Sequence, residues 1–205
     1  MKAKSDFQGR ARAVMTLAIA MMFLSQSGFA QNRFSFEFRP GVNFATRELG
    51  DANLKTGFGF EGVFSYRVLS HFGIYAGWGW NRFQSEQSFA GPDVDFEETG
   101  YTYGLQFMYG IANSNLSLLA RAGILSNHIE VEDRRGDIIG DSGHGFSEGI
   151  GWQVDGRIAW PIAENWYVVP SLRYRSLPKE IRIGAADTDV VLSYFSLGLG
   201  IARVF

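Results

Sequence analysis

From residue 33 onward the chain alternates. In RFSFEFRPG, residues 33–41, Phe34, Phe36 and Phe38 fall on one side of an extended chain. Ser35, Glu37 and Arg39 fall on the other, because successive side chains of a strand point to opposite faces. The same period returns in eight segments, at 33–44, 56–68, 73–83, 99–110, 116–130, 148–160, 166–176 and 190–205. Their apolar registers read, for example, Phe58, Phe60, Phe64, Tyr66 and Val68 in the second and Ile150, Trp152, Val154, Ile158 and Trp160 in the sixth. Short turns, Leu69–Phe72, Ile111–Asn115 and Pro161–Asn165, follow the second, fourth and sixth segments. Longer polar loops, 45–55, 84–98, 131–147 and 177–189, follow the others. The spacing predicts an up-and-down meander of eight antiparallel strands with two unlike ends.

Alternation alone does not say which face is the inside. Four features of the pattern point the apolar face outward. An eight-stranded barrel has an interior just wide enough for its own side chains, too small for the large apolar register. The opposite register is rich in glycine and carries Glu37, Arg39, Glu61, Arg67, Arg121, Asp155, Arg157, Arg173 and Arg175. Glycine facing water weakens a strand to no purpose, whereas glycine facing a cramped lumen makes room for long neighbours. The apolar register has no charge at mid-strand; Arg82, Glu98, Glu130 and Glu148 are assigned to its loop ends, and Arg203 lies near the terminus. A charge facing lipid costs about 2–4 kcal/mol at the midplane and about 0–1 near the interface, which produces that distribution. Aromatics gather at two levels, with Trp80, Tyr101 and Tyr174 at one and Tyr109, Trp160 and Trp166 at the other, as interfacial belts do. The rival is a soluble, lipocalin-like barrel with the opposite orientation.

Composition adds an export signal. Lys2, Lys4, Arg10 and Arg12 precede an uncharged run from Ala13 to Leu24, then SQSGFA with small residues at Gly28 and Ala30. This is the layout of a cleavable secretory signal peptide over residues 1–30; the run is short of the ~20 apolar residues that a spanning helix needs. The barrel domain is then 31–205. The chain contains no cysteine, which excludes a disulfide framework and a lipid-modified N-terminus. Losing four basic residues and one acid from the 19 and 21 present leaves a net charge near −5, no footprint for nucleic acid.

These features together resemble the small OmpA-type and opacity-type outer-membrane barrels of Gram-negative bacteria. The resemblance covers residues 31–205 and rests on the eight strands and on the final segment DVVLSYFSLGLGIARVF. It implies a location in the outer membrane with both mature termini periplasmic, contact with outer-membrane lipids and lipopolysaccharide, and delivery by the barrel-assembly machinery. In that family an aromatic terminus with alternate apolar residues before it is the assembly signal; Phe195, Leu197, Leu199, Ile201 and Phe205 fit it, and Arg203 departs from it. The peptidoglycan-binding domain that follows some such barrels is not expected here.

Candidate chemistry is sparse. Unpaired ions in a dry lumen are very costly, so Glu37, Glu61 and Asp155 are expected to pair with Arg39, Arg121, Arg157, Arg173 and Arg175 through guanidinium forks. The expected outcome is a closed, non-catalytic barrel with a structural or surface-interaction role. A narrow, anion-preferring channel is the alternative, since arginine outnumbers acid on this register. A third reading is a rim enzyme acting on lipid A. It is weakened because the deacylases pair a histidine with a serine two residues later, whereas His128 is followed by Glu130 and His144 by Phe146. Arg135-Gly136-Asp137 in the third loop is an adhesion tripeptide by sequence and common turn chemistry by composition. That loop is where an extracellular partner would bind. The second loop, with Glu86, Asp93, Asp95, Glu97 and Glu98, reads as a solvated acidic loop. No cofactor and no metal site is expected.

Overall fold

The computed structural model describes residues 33–143, 149–184 and 186–205; the proposed signal peptide and its cleavage point lie outside them. Nine strands form: β1 (Phe34–Ala45), β2 (Gly57–Arg67), β3 (Phe72–Ser88), β4 (Gly91–Gly110), β5 (Ser117–Glu132), β6 (Ile138–Asp141), β7 (Gly151–Ala163), β8 (Trp166–Ile183) and β9 (Ala186–Val204). Eight of them close an antiparallel ring in the order β1-β2-β3-β4-β5-β7-β8-β9, with β9 returning to β1. Closure leaves no sheet edge, which is what allows strands to cross a lipid layer. Strand β6 pairs with β5 through Glu130–Asp141 and with β8 through Asp141–Arg182, filling the place beside β5 above the start of β7.

The outer wall carries the apolar register. Phe38, Phe58, Phe64, Leu105, Tyr101, Trp152, Trp160, Leu197 and Leu199 are all exposed. They pair across strands, with ring centroids 4.8 Å apart for Phe36 and Phe64 and 4.9 Å for Tyr174 and Phe195. Glycine on the inner wall makes room, as the pattern implied. A Cβ on Gly198 would stand 2.9 Å from the Arg39 side chain, and one on Gly104 2.8 Å from the Tyr75 ring. The chain ends meet at the short-turn mouth, where Phe205 N–H donates to Phe34 and Arg33 N–H to Phe205. Arg203, the residue that broke the terminal pattern, lays its guanidinium over Trp166 at 5.4 Å and over Phe205 at 4.9 Å. A cation over aromatic faces is tolerated at an interface.

Two of the expected loops are strands. β3 and β4 run on through most of 84–98, leaving Phe89 and Ala90 between them, and β8 and β9 run on through most of 177–189. A spanning strand needs about 9–11 residues, so β4, with 20, and β9, with 19, stand well beyond one bilayer. In this extension the polarity of the alternation inverts. Arg82, Asp95, Glu97, Glu130 and Glu132 now point outward. Phe83, Val94, Phe96, Ile129, Val131, Leu177, Ile181, Val190 and Leu192 point inward and are buried together. The reason is the solvent: an outer wall in lipid must be apolar, and the same wall in water packs apolar groups inside.

The two levels give a direct test of the membrane assignment. Leu105→Arg, on the exposed lipid-level wall, is expected to lower stability in vesicles by about 2–4 kcal/mol. Ile138→Arg, equally exposed but on the extension, is expected to change it by under ~0.5 kcal/mol. Urea unfolding of both variants in lipid vesicles measures this, and equal effects would place both positions in the same solvent.

Candidate functional site: the lumen and its two mouths

The inner register assembles a buried ion-pair network. Glu61 on β2 is its hub, accepting from Arg39, from Arg173 Nη1 at 3.0 Å, from Arg175 Nη2 at 2.8 Å and from Thr102 Oγ1 at 3.3 Å. Arg157 on β7 forks onto Asp155, with Nε 2.5 Å from Oδ1 and Nη2 2.9 Å from Oδ2, and donates its Nη1 to Glu37. Arg121 stands 3.4 Å from Glu37, and Arg39 Nη1 stands 3.9 Å from Asp155. The structure thus brings all eight predicted lumen residues into one connected cluster, each nearly inaccessible to solvent. Arg67, on the same register, sits half-buried at the short-turn mouth.

One further member lies on the face opposite to that expected. Glu98 is fully buried on the inner register of β4, where the sequence reading put it at a loop end of the apolar face. It accepts from Arg175 Nη1 at 3.1 Å, Asn127 Nδ2 at 2.5 Å, Asn81 Nδ2 at 3.1 Å and the Tyr194 hydroxyl. Counting back by twos from Gln106 and Thr102 finds it. The adjacent Glu97, which faces outward, obscured that signal. Five arginines therefore face four carboxylates, so the surplus expected from three acids is smaller.

The network fills the barrel at mid-height. A void of about 10 Å³ remains beside Arg39, Asn43, Asn81 and Arg173, room for about one water. Above it the inward apolar cluster forms a second closure. The first long loop, read as polar, folds into that cluster: Leu49 and Ala52 are fully buried there, and Leu54 pairs with Ser85. Below, Leu119, Ala159, Val169 and Ala202 narrow the short-turn end around an open cavity of about 280 Å³.

The acidic second loop is corrected likewise. Asp95 and Glu97 flank Arg82 on the outer wall, 2.5 and 3.0 Å from its guanidinium, and Asp93 pairs with Arg134 at 3.0 Å. The oxygens of Glu97, Glu130 and Glu132 come within 4.8 Å of one another, but Arg82 already stands against Glu97 and Glu132. Partial burial, then the charge of Glu97, raises the Glu132 carboxyl above its usual range.

The tripeptide Arg135, Gly136 and Asp137 is exposed at the tip between β5 and β6. Asp133 closes that tip by accepting from the N–H groups of Arg135 at 2.8 Å and Asp137 at 3.0 Å, which holds its carboxyl below the usual range. His128 Nε2 stands 3.1 Å from Glu130 at the rim. Ser142, near that rim, is buried and accepts the Ile129 N–H, a structural use. His144, Ser147 and Glu148 lie outside the described residues. The belt aromatics sit on the outer wall: Tyr101, Tyr109, Trp160 and Trp166 are exposed, and Trp80 and Tyr174 are partly covered by neighbours.

A family model described as an outer membrane protein beta-barrel domain matches residues 16–202. The chain belongs to this family. Membership implies the outer membrane as its location. No curated protein sequence matches the chain. Among solved structures it is similar to Neisserial surface protein A, with a TM-score of 0.59 and 15% identity over 84% of this chain and 96% of that one. It is also similar to OprG of Pseudomonas aeruginosa (TM-score 0.56, 13% identity, 86% and 99% covered). A third is outer membrane protein W of E. coli (0.51, 17%, 85% and 98%). At these identities the likeness is one of fold: small outer-membrane barrels.

Proposed function

We propose that this barrel is a non-catalytic outer-membrane protein with a closed lumen, acting as a structural element and a surface for interaction. The observation that carries the reading is the double filling of the lumen. A connected Arg–carboxylate tier is followed by an apolar plug, and the first long loop is folded into the plug. Ions crossing such a path must break desolvated pairs that have no water to replace them. The long-strand end, with its charged outer wall, faces outside; the short turns and both termini face the periplasm. An export signal over residues 1–30 supplies the route, and Phe205 with the alternate apolar residues before it addresses the assembly machinery. Aromatic belts hold the wall in lipid and lipopolysaccharide. Arg135-Gly136-Asp137 serves as a turn, because its backbone is organised by Asp133 within the hairpin.

Planar-bilayer recording on the refolded protein tests this. The expected result is the absence of stable current steps at any polarity. Reproducible, anion-selective steps would replace the closed reading with the narrow-channel one.

A further inference from the structure

The lipid-level wall carries a recess. On β5 and β7 four short outward residues stand together, Ala120 opposite Gly156 and Ala122 opposite Val154. Larger side chains bound them on every side. Phe107 and Leu105 flank them from β4, and Leu172 and Tyr174 from β8. Trp152 and Ile158, the next outward residues of β7, close the two ends with their partners on β5. The result is a pit of about 620 Å³. Arg121 and Asp155 border it through their strands, with their side chains turned inward to the ion-pair tier. The pit therefore lies at mid-height of the barrel, and the side chains turned into it carry no charge.

Gly156 shows that the monomer does not need this shape. The inner-wall glycines make room for long neighbours, but a Cβ built on Gly156 meets nothing within 4 Å. Glycine inside a strand weakens it and marks a place where another backbone or a ligand approaches closely. No part of the barrel approaches Gly156, so the approach comes from outside. At this depth only acyl chains and other protein walls are present. Shape separates those two. An acyl chain runs along the membrane normal and follows a groove that is open at its ends, whereas this pit is closed above and below. A blunt side chain from a facing wall fits it as a knob fits a hole.

The same wall carries the knob. Leu105, on the rim of the pit, is 66% exposed, the most exposed large apolar side chain among the described residues. We propose that the barrel pairs with a second copy of itself in the membrane, Leu105 of each copy entering the pit of the other over Ala120 and Gly156. Two copies inserted in the same sense are related by a two-fold axis along the membrane normal, and such an interface sets one patch against itself. A knob beside a hole on one patch meets that requirement. Lipid supplies no hydrophobic drive between two apolar walls, so pairing rests on close packing, for which small residues are suited. Half-exposed side chains of this size offer on the order of 100 Å² each. Rim and floor together approach the ~800 Å² per partner of a specific interface.

Resonance energy transfer in phosphatidylcholine vesicles at high lipid excess tests the pairing. Arg134→Cys, on the exposed tip, carries the donor or the acceptor dye. Transfer is expected to saturate with the stoichiometry of a dimer and to fall when unlabelled protein competes. Gly156→Leu fills the pit, in space that is open in the single barrel, and is expected to weaken pairing about tenfold. Leu105→Ala, which removes the knob, is expected to weaken it by a similar factor. Phe64→Ala, on β2 at the opposite wall, is expected to leave it unchanged. The chain has no cysteine of its own. A mixture of Leu105→Cys and Gly156→Cys barrels is therefore expected to form a disulfide-linked pair on mild oxidation, in higher yield than either variant alone. Retained heat-modifiable gel mobility shows that each variant is folded. Transfer no greater than random encounter gives overturns the proposal and leaves the pit to acyl chains. Transfer unchanged in both Gly156→Leu and Leu105→Ala also overturns it, because the contact between copies then lies elsewhere on the wall.

Discussion

Glu61→Ala is expected to destabilise the barrel by about 3–5 kcal/mol, the range for breaking a buried pair by removing one partner. Four groups lose an acceptor at once: the guanidiniums of Arg39, Arg173 and Arg175, and the Thr102 hydroxyl. The site is closed to solvent, so water cannot replace the carboxylate without rearrangement. Glu61→Gln keeps the shape and one acceptor oxygen but removes the charge, and is expected to fall between the two. Guanidinium unfolding in micelles, read by tryptophan fluorescence and by the shift in gel mobility on heating, provides the measurement. A loss of under ~1 kcal/mol for Glu61→Ala would mean that the surrounding arginines are hydrated, and hence that the lumen is wet. That outcome would also weaken the closed-lumen reading, because both rest on the same desolvated tier.

The second large effect is expected one level higher. Phe83→Ala should cost about 3–5 kcal/mol, the usual range for emptying a packed aromatic site. Phe83 is fully buried, with its ring 5.1 Å from that of Tyr194, among Phe96, Ile129 and Leu192. Phe64→Ala provides the contrast, since that ring is 61% exposed on the outer wall. It is expected to cost well under half as much, because lipid replaces most of what it touches. Hydrogen exchange on β3 and β4 beyond Arg82 locates the effect. Faster exchange there in Phe83→Ala, with the mid-barrel amides still protected, is the expected pattern. Equal costs for the two phenylalanines would show that the extension is not a packed unit.

The inversion of polarity also explains where the sequence could be read and where it misled. Within the lipid level, period two, glycine content and the exclusion of charge from one face gave the ring, the orientation of each face and the eight lumen residues. They did so because lipid demands an apolar wall at every position, so each strand carries the constraint in its own residues. Beyond Arg82 the same period continues with the opposite meaning. Read with a single assignment of faces, QSEQSF and PDVDFEE look like loop, and Glu98 is then taken for a loop-end residue although its parity with Thr102 and Gln106 turns it inward. The signal was present in the alternation of Val94 and Phe96 with Asp95 and Glu97. A change of solvent along a strand is not a property of any one residue, so it shows only when strand length is known.

Other features could not be read locally at all. That Glu61 gathers arginines from β1 and β8, more than a hundred residues apart in the chain, depends on the register of closure. So does the meeting of Arg33, Arg67 and Arg121 around one cavity. The sequence by itself determined that RFSFEFRPG is a strand with phenylalanine facing lipid and Glu37 and Arg39 turned inward. Its period and the cost of charge in a bilayer weigh for that arrangement over the lipocalin-like rival. Tertiary structure alone decided what those two residues meet. Arg39 reaches Glu61, while Glu37 takes Arg157 through one oxygen. Side-chain alternation fixes a face, and only the stagger of neighbouring strands fixes a partner.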